Sequence, residues 1–322
     1  MLRMAVYCVL YLLGVVGEWG VLRVPLSKKA LMIICVVLAL YGCEDASAEK
    51  SPDVLAYSWS IVETLVALDL PPRGMTMKKS YETWGSIETL PEEVMEVGFP
   101  PNLELVSEIS PSFIMIGSDG PALDGRLPEH YATYRTTLYN EDVDRWYEIS
   151  EFSIDIAKMV GRLELGNEYV GFVENRIDKM KRRVADWEKP LLIIRALDDT
   201  HVRVYGKNSL PQAVADRLGL TNAWDGPTNG WGFSIVTAAE LVGIEAQLII
   251  VEGPRLSGEM QEKLAGHGIW QHVPSVKEGT VITIPPFWIF GALPSALRFA
   301  EALVEALEAS SDPEEASTCS TL

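Results

Sequence analysis

Between Glu44 and Glu308 the chain has no cysteine; its four, Cys8, Cys35, Cys43 and Cys319, all lie outside that stretch. A cysteine nucleophile, a thiolate zinc site and a disulfide within the body are thereby excluded. Positive charge is scarce as well. The chain has 27 Lys and Arg against 45 Asp and Glu, a formal charge of −18. Nucleic acid is an unsuitable partner for such a surface, because a phosphate backbone needs a clustered basic face. The only histidines, His130, His201, His267 and His272, are scattered and read as surface residues. Neither a G-x-S-x-G elbow nor H-E-x-x-H occurs, so an exported hydrolase has no residues to name. What the chain does have is 48% hydrophobic residues over 322 positions, enough for a sizeable core and two domains.

The first 48 residues read as an export signal. Ser27-Lys28-Lys29 precedes an apolar run, Ala30 to Gly42, and small polar residues follow. That run falls short of the roughly 20 residues that a membrane-spanning helix needs. Two processing sites compete. Ala46-Ser47-Ala48 suits cleavage after Ala48 and a released periplasmic protein. Leu40-Tyr41-Gly42-Cys43 resembles a lipobox and would leave a lipid anchor at Cys43, although Tyr41 is poor there. The soluble outcome is favoured. An additional apolar run, Met4 to Val16, is explained most simply by a misassigned start, with a membrane-anchored extension as the alternative.

The body is organised around residues 166–187. Val170, Val173, Ile177, Met180 and Val184 recur at steps of three and four within a charged segment, the mark of a helix buried along one stripe. A strut joining two α/β lobes and a surface helix of one domain both fit this pattern. Residues 49–165 precede it and 188–308 follow, each mixing short apolar runs with helical patterns. In the first stretch, strands are expected at Val54–Trp59 and Phe113–Gly117, and a helix from Pro101. Ser118-Asp119-Gly120-Pro121 then follows a strand's carboxyl end, where open α/β sheets hold ligands. In the second, strands are expected at Leu191–Ile194, His201–Tyr205, Gln247–Val251 and Val281–Ile284. Helices are expected after Asn208, over Ile235–Val242 and over Leu293–Leu307. Residues 309–322 read as a disordered acidic tail.

Several segments resemble the iron-hydroxamate-binding proteins of bacterial siderophore ABC importers. They are Tyr81-Glu82-Thr83-Trp84, Pro101-Asn102-Leu103-Glu104-Leu105-Val106, Pro111-Ser112-Phe113, Gly206-Lys207-Asn208-Ser209-Leu210, Thr221-Asn222-Ala223-Trp224, Thr228-Asn229-Gly230-Trp231-Gly232 and Phe287-Trp288-Ile289-Phe290-Gly291-Ala292. The resemblance spans about residues 52–307. It implies a class III, helical-backbone binding protein: two α/β lobes joined by a single long α-helix, with little hinge motion. It also implies a monomer that captures a ferric hydroxamate siderophore and delivers it to an inner-membrane ABC permease. No cofactor is implied, because the iron arrives already chelated, and for the same reason no protein metal ligand. Carried over by position, Trp84 supplies first-lobe aromatic surface, and Leu210, Asn229, Trp231, Trp288 and Phe290 line the second lobe. Trp59 could face either cleft or core, and Ser118 stands where the family has a contacting tyrosine. The family's contacting arginine has no counterpart in Gly98-Phe99-Pro100-Pro101; Arg73, Lys78, Lys79 and Arg126 are candidate substitutes. Asp124 and Glu240 are candidate permease-docking carboxylates. Trp146, Trp187, Trp224 and Trp270 are assigned structural roles. A cobalamin, haem or ferric-carboxylate binder and a sensor module are the alternatives, while the acidic body argues against anionic chelates.

Overall fold

The computed structural model describes residues 16–17, 20–21, 52–84, 90–117, 126–141, 143–198, 200–253 and 268–311. Met1–Lys50 forms a unit of its own, in which Val16–Gly17 pairs antiparallel with Gly20–Val21. The proposed leader otherwise lies outside the described residues, as do the four cysteines, Ser118, Asp124 and positions 312–322.

The unit from Ser51 onward contains two five-stranded sheets. The first comprises β1 (Val54–Tyr57), β2 (Gly74–Met75), β3 (Met95–Glu96), β4 (Phe113–Ile116) and β5 (Thr133–Arg135), in the order β3-β2-β1-β4-β5. All its pairings are parallel. Such a sheet must be covered on both faces, and β1 alternates accordingly. Val54 and Ala56 enter one apolar cluster, Leu55 and Tyr57 another. The covering helices are α1 (Trp59–Ala67), α2 (Lys78–Trp84) and α3 (Leu103–Ile109). Asn102 caps α3 by accepting from the Glu104 N–H at 3.0 Å.

The chain then runs through α4 (Arg145–Met159) and α5 (Leu163–Arg183). α5 is the expected helix, shifted to start three residues earlier and to end at Arg183. Val173, Ile177 and Met180 are buried and Val170 is half-buried; Val184 is the C-cap. Trp187 lies beyond the helix, its indole donating to the Lys189 carbonyl at 2.7 Å. Its 21 residues extend about 31 Å.

The second sheet comprises β6 (Leu191–Ala196), β7 (His201–Tyr205), β8 (Phe233–Thr237), β9 (Gln247–Val251) and β10 (Ile282–Ile284), in the order β8-β7-β6-β9-β10. β7 pairs antiparallel with β6 and β8, while β6, β9 and β10 run parallel. Around it lie α6 (Leu210–Leu218), α7 (Pro274–Glu278) and α8 (Leu293–Ser311). Ser209 caps α6, and Gly219 ends it in the left-handed region at φ 78.

Two expectations fail here. Residues 235–242 are not a helix: Phe233–Thr237 is β8, followed by a 3-10 turn, Ala238–Leu241. The β-branched run Ile235-Val236-Thr237 suits a pleated strand, and β7 supplies the pairing edge. Helix α8 also continues to Ser311, inside the stretch read as tail. The Ser310 and Ser311 hydroxyls extend its end by donating to the Leu307 carbonyl.

Candidate ligand-binding site

A cavity of about 450 Å³ opens between the two lobes. The first lobe lines it with the residues that follow its strands: Ser58, Trp59 and Ser60 after β1, Met77 after β2, Phe99 after β3, Gly117 after β4 and Thr136 after β5. This is the carboxyl edge of a parallel sheet, centred on β1 and β4, where the strand order reverses and a crevice must form. The second lobe contributes Arg203, Trp231, Phe233, Trp288 and Phe290.

Rings dominate the wall and run from lobe to lobe. Trp59 meets Trp288 edge-on at 4.4 Å, and Trp288 meets Phe290 at 5.5 Å. Phe290 in turn lies 5.3 Å from Trp231 and 5.9 Å from Phe233. Tyr139 of the first lobe closes the chain, 5.3 Å from Trp231. Edge-to-face pairs at these separations hold each other rigid.

Local backbone explains why these rings are presented rather than buried. In the loop after β10, Phe287 and Ile289 point into the core, so Trp288 and Phe290 face the cavity. The first lobe pins that loop from behind. Ser60 Oγ donates to the Phe290 carbonyl at 3.0 Å, and Tyr139 Oη donates to the Gly291 carbonyl at 2.9 Å. Trp231 remains 40% exposed. Its loop is shaped by Asn229, whose Oδ1 accepts from the Trp231 and Phe233 N–H groups at 3.0 and 3.2 Å. Gly232 follows at φ 79, where a Cβ would lie 2.1 Å from the Ser209 nitrogen. Trp59 opens α1, with its indole donating to the Thr76 carbonyl at 3.2 Å.

Burial pushes the Tyr139 hydroxyl well above its ordinary pKa, with the Arg145 guanidinium acting against that. Arg145 lies over the Tyr139 ring, pairs with buried Glu148 and donates from Nε to the Asn208 carbonyl at 2.9 Å. Glu148 in turn accepts from the Tyr139 and Asn140 N–H groups. The start of α4 thus fixes the ring that bridges the lobes.

The structure brings Trp59, Trp231, Trp288 and Phe290 together on one cavity and leaves other nominated residues off it. Leu210 is fully buried at the start of α6. Asn229 is exposed and shapes its own loop rather than lining the cavity. Trp84 lies outside the lining, its ring under the Arg195 guanidinium at 3.6 Å. Glu240 is exposed, with its carboxylate accepting from the Thr237 N–H and hydroxyl in a capping box. Trp146 and Trp270 are core residues.

Arg73, Lys78, Lys79 and Arg126 do not line the cavity. Lys78 Nζ is held by backbone carbonyls, including that of Val94 at 2.8 Å. Among the described lining residues the cation is Arg203, hidden in the sequence by an alternating strand, His201-Val202-Arg203-Val204-Tyr205, where it resembles a solvated charge. Phe99 occupies the loop that lacks the expected arginine, and Phe233 was likewise hidden as an ordinary apolar residue. No His, Cys, Asp or Glu is among the described lining residues.

The periplasmic binding protein family profile matches residues 54–287. The chain is 30% identical over 288 residues to the iron(3+)-hydroxamate-binding protein FhuD of Escherichia coli (strain K12), a match covering 88% of this chain and 97% of that one. Among solved structures, FhuD from Vibrio cholerae with bound Fe3+–Desferal superposes with TM-score 0.75 at 22% identity, over 81% of this chain and 99% of that one. The petrobactin-binding protein YclQ from Bacillus subtilis gives 0.65 at 17% identity, over 80% and 93%.

Proposed function

This chain belongs to the periplasmic binding protein family, and from that premise we propose that it captures a ferric hydroxamate siderophore and delivers it to an ABC permease. The family implies an extracytoplasmic location. The reading rests above all on the interlobe wall of Trp59, Trp231, Phe233, Trp288 and Phe290 around about 450 Å³. A ferric trihydroxamate is largely hydrocarbon outside its oxygen cage. Rigid rings cover such a surface at little entropic cost, each burying about 150–250 Å². Ser58, Thr136 and Arg203 supply donors for exposed oxygens. That the described lining residues bring no carboxylate, thiolate or imidazole suits iron whose coordination is already complete.

Titration of intrinsic tryptophan fluorescence tests the reading, with ferrichrome, ferrioxamine B, ferric aerobactin, ferric citrate, cobalamin and haem as probes. At least one hydroxamate should quench saturably. Trp231→Ala and Trp288→Ala should each weaken it by about thirtyfold or more, the loss expected at a central aromatic anchor. Quenching by cobalamin, haem or ferric citrate alone would overturn the assignment. For delivery, we propose Asp124 and Glu240 as docking carboxylates. Reversing both charges should abolish uptake in cells while quenching persists; unchanged uptake would remove that role. We further propose export through residues 1–48, ending in cleavage after Ala48 or a lipid anchor at Cys43. The mass of the mature N-terminus distinguishes these two and would exclude export if the leader remained intact.

A further inference from the structure

On the first lobe, the mouth of the cleft carries large apolar side chains in contact with water. Met77 is 47% exposed and Phe99 48%, and both line the cavity. Leu103, the first residue of α3, is 45% exposed four positions after Phe99. Single exposed apolar residues are ordinary, but a group of them at the edge of a cavity marks a surface that something covers. Among the described residues the first lobe brings no charged side chain to the lining.

This rim is held in place at a cost. Met77 lies at φ 54, in the left-handed region that a long side chain seldom adopts. Glycine or asparagine would sit there with less strain. Glu96 secures the conformation: its carboxylate accepts from the Met77 N–H at 2.8 Å, from the Gly98 N–H at 2.9 Å and from the Lys78 N–H. One side chain thus ties the turn after β2 to the turn after β3, and sets Met77 and Phe99 on the same rim. Methionine is unbranched and polarizable, so it moulds itself to varied apolar shapes, while phenylalanine adds a rigid face. Neither side chain donates a hydrogen bond, so what the pair can recognise is hydrocarbon.

We infer that Met77 and Phe99 form an apolar shelf for a hydrocarbon substituent of the ligand, so that the preferred cargo is a ferric hydroxamate carrying an alkyl or acyl chain. The inference rests on the hydroxamate reading of the cleft and narrows it to one substrate class. The iron cage occupies the ring-walled cavity, and the chain leaves it over the first-lobe rim. Continuity assigns the shelf to the ligand rather than to a partner protein. Met77 and Phe99 meet the cavity as well as solvent, so a chain attached to the bound chelate reaches them without a second association step.

The test uses the full chain and ferrioxamine B acylated on its terminal amine with acetyl, butanoyl or hexanoyl groups. The iron cage and the net charge are then the same throughout the series, and ferrichrome serves as the reference. Full burial of a methylene changes affinity about fourfold, and a shelf that covers one side of the chain about twofold. The hexanoyl complex, longer than the acetyl one by about four methylenes, should therefore bind about tenfold tighter or more. Phe99→Ser combined with Met77→Asn, the latter suited to a left-handed backbone, should reduce that ratio to less than about threefold. Trp231→Ala, on the opposite lobe, should weaken every member of the series and keep the gradient. A series without a gradient, a gradient that survives the double variant or is lost equally in Trp231→Ala, or binding of ferrichrome with none of the acylated complexes would each overturn the inference while leaving hydroxamate capture standing. If neither ferrichrome nor any member of the series binds, the hydroxamate reading itself fails.

Discussion

Glu63 belongs to a first-lobe helix, yet its carboxylate serves the second lobe. It is fully buried, accepting from the Ala292 N–H and from the Ser295 hydroxyl, the latter at 2.6 Å. These groups begin α8, whose 19 residues present a positive dipole end there. Glu63 therefore caps a helix that its own lobe does not contain. Glu63→Ala would strand two buried donors at a cost of about 2–3 kcal/mol, and Glu63→Gln, which keeps one acceptor, should recover part of it. Thermal unfolding of both variants measures this; an unchanged Tm for the alanine variant would remove the capping role. Such a contact is invisible in sequence, since 229 positions separate Glu63 from Ala292. By contrast, Trp231 and Trp288 were legible, because packing alone seldom demands indole in loops rich in glycine or proline. Arg203 was not, because alternation in a strand reveals which residues share a face but not whether that face meets water. Leu210 was misplaced for a related reason: as the first residue of α6 it packs inward, and the loop beyond carries the cavity contacts.

At the level of elements, α4 and α5 approach closely beside the turn that joins them because one residue permits it. A Cβ on Gly166 would stand 2.3 Å from that of Ala157. Alanine would gain about 1 kcal/mol of helix propensity there, but two methyl groups at that distance force the helices apart, at a typical cost of about 1–3 kcal/mol. Overpacking wins, so Gly166→Ala should lower Tm. Adding Ala157→Gly should restore most of the loss. An additive or larger loss in the double variant would refute the close approach, and differential scanning calorimetry decides it. The stripe Val173-Ile177-Met180 made α5 readable, because periodicity survives whatever the helix packs against. Nothing comparable marked Phe233–Thr237, a five-residue segment with three apolar side chains that becomes a strand only because β7 offers it an edge. Short runs carry too few turns to separate the two periods.

For the whole molecule, the question is how far the lobes can move apart. One apolar cluster passes through both: it includes Val54 and Ala56 of β1, Ile177 of α5, Ile193 of β6 and Leu303 of α8. Polar ties cross as well, from Ser60 to Phe290, from Tyr139 to Gly291 and from Glu63 to Ser295, and Arg195 stacks on Trp84. A wide hinge opening would have to break this shared core, exposing apolar surface at about 25 cal/mol per Å², and to unpair buried carbonyls as well. The free energy of ligand binding would have to exceed that sum, so opening and closing by tens of degrees is disfavoured. Spin labels introduced by Glu108→Cys and Glu245→Cys, with the four native cysteines replaced, should report nearly the same separation before and after saturation with ferric siderophore, shifting by less than about 3 Å in the range typical of preformed sites. A larger displacement would mean that the ring wall is assembled by the ligand rather than standing ready for it. Trp231, held at its exposed position by Asn229 and Gly232, would then owe its orientation to closure instead of to its own loop.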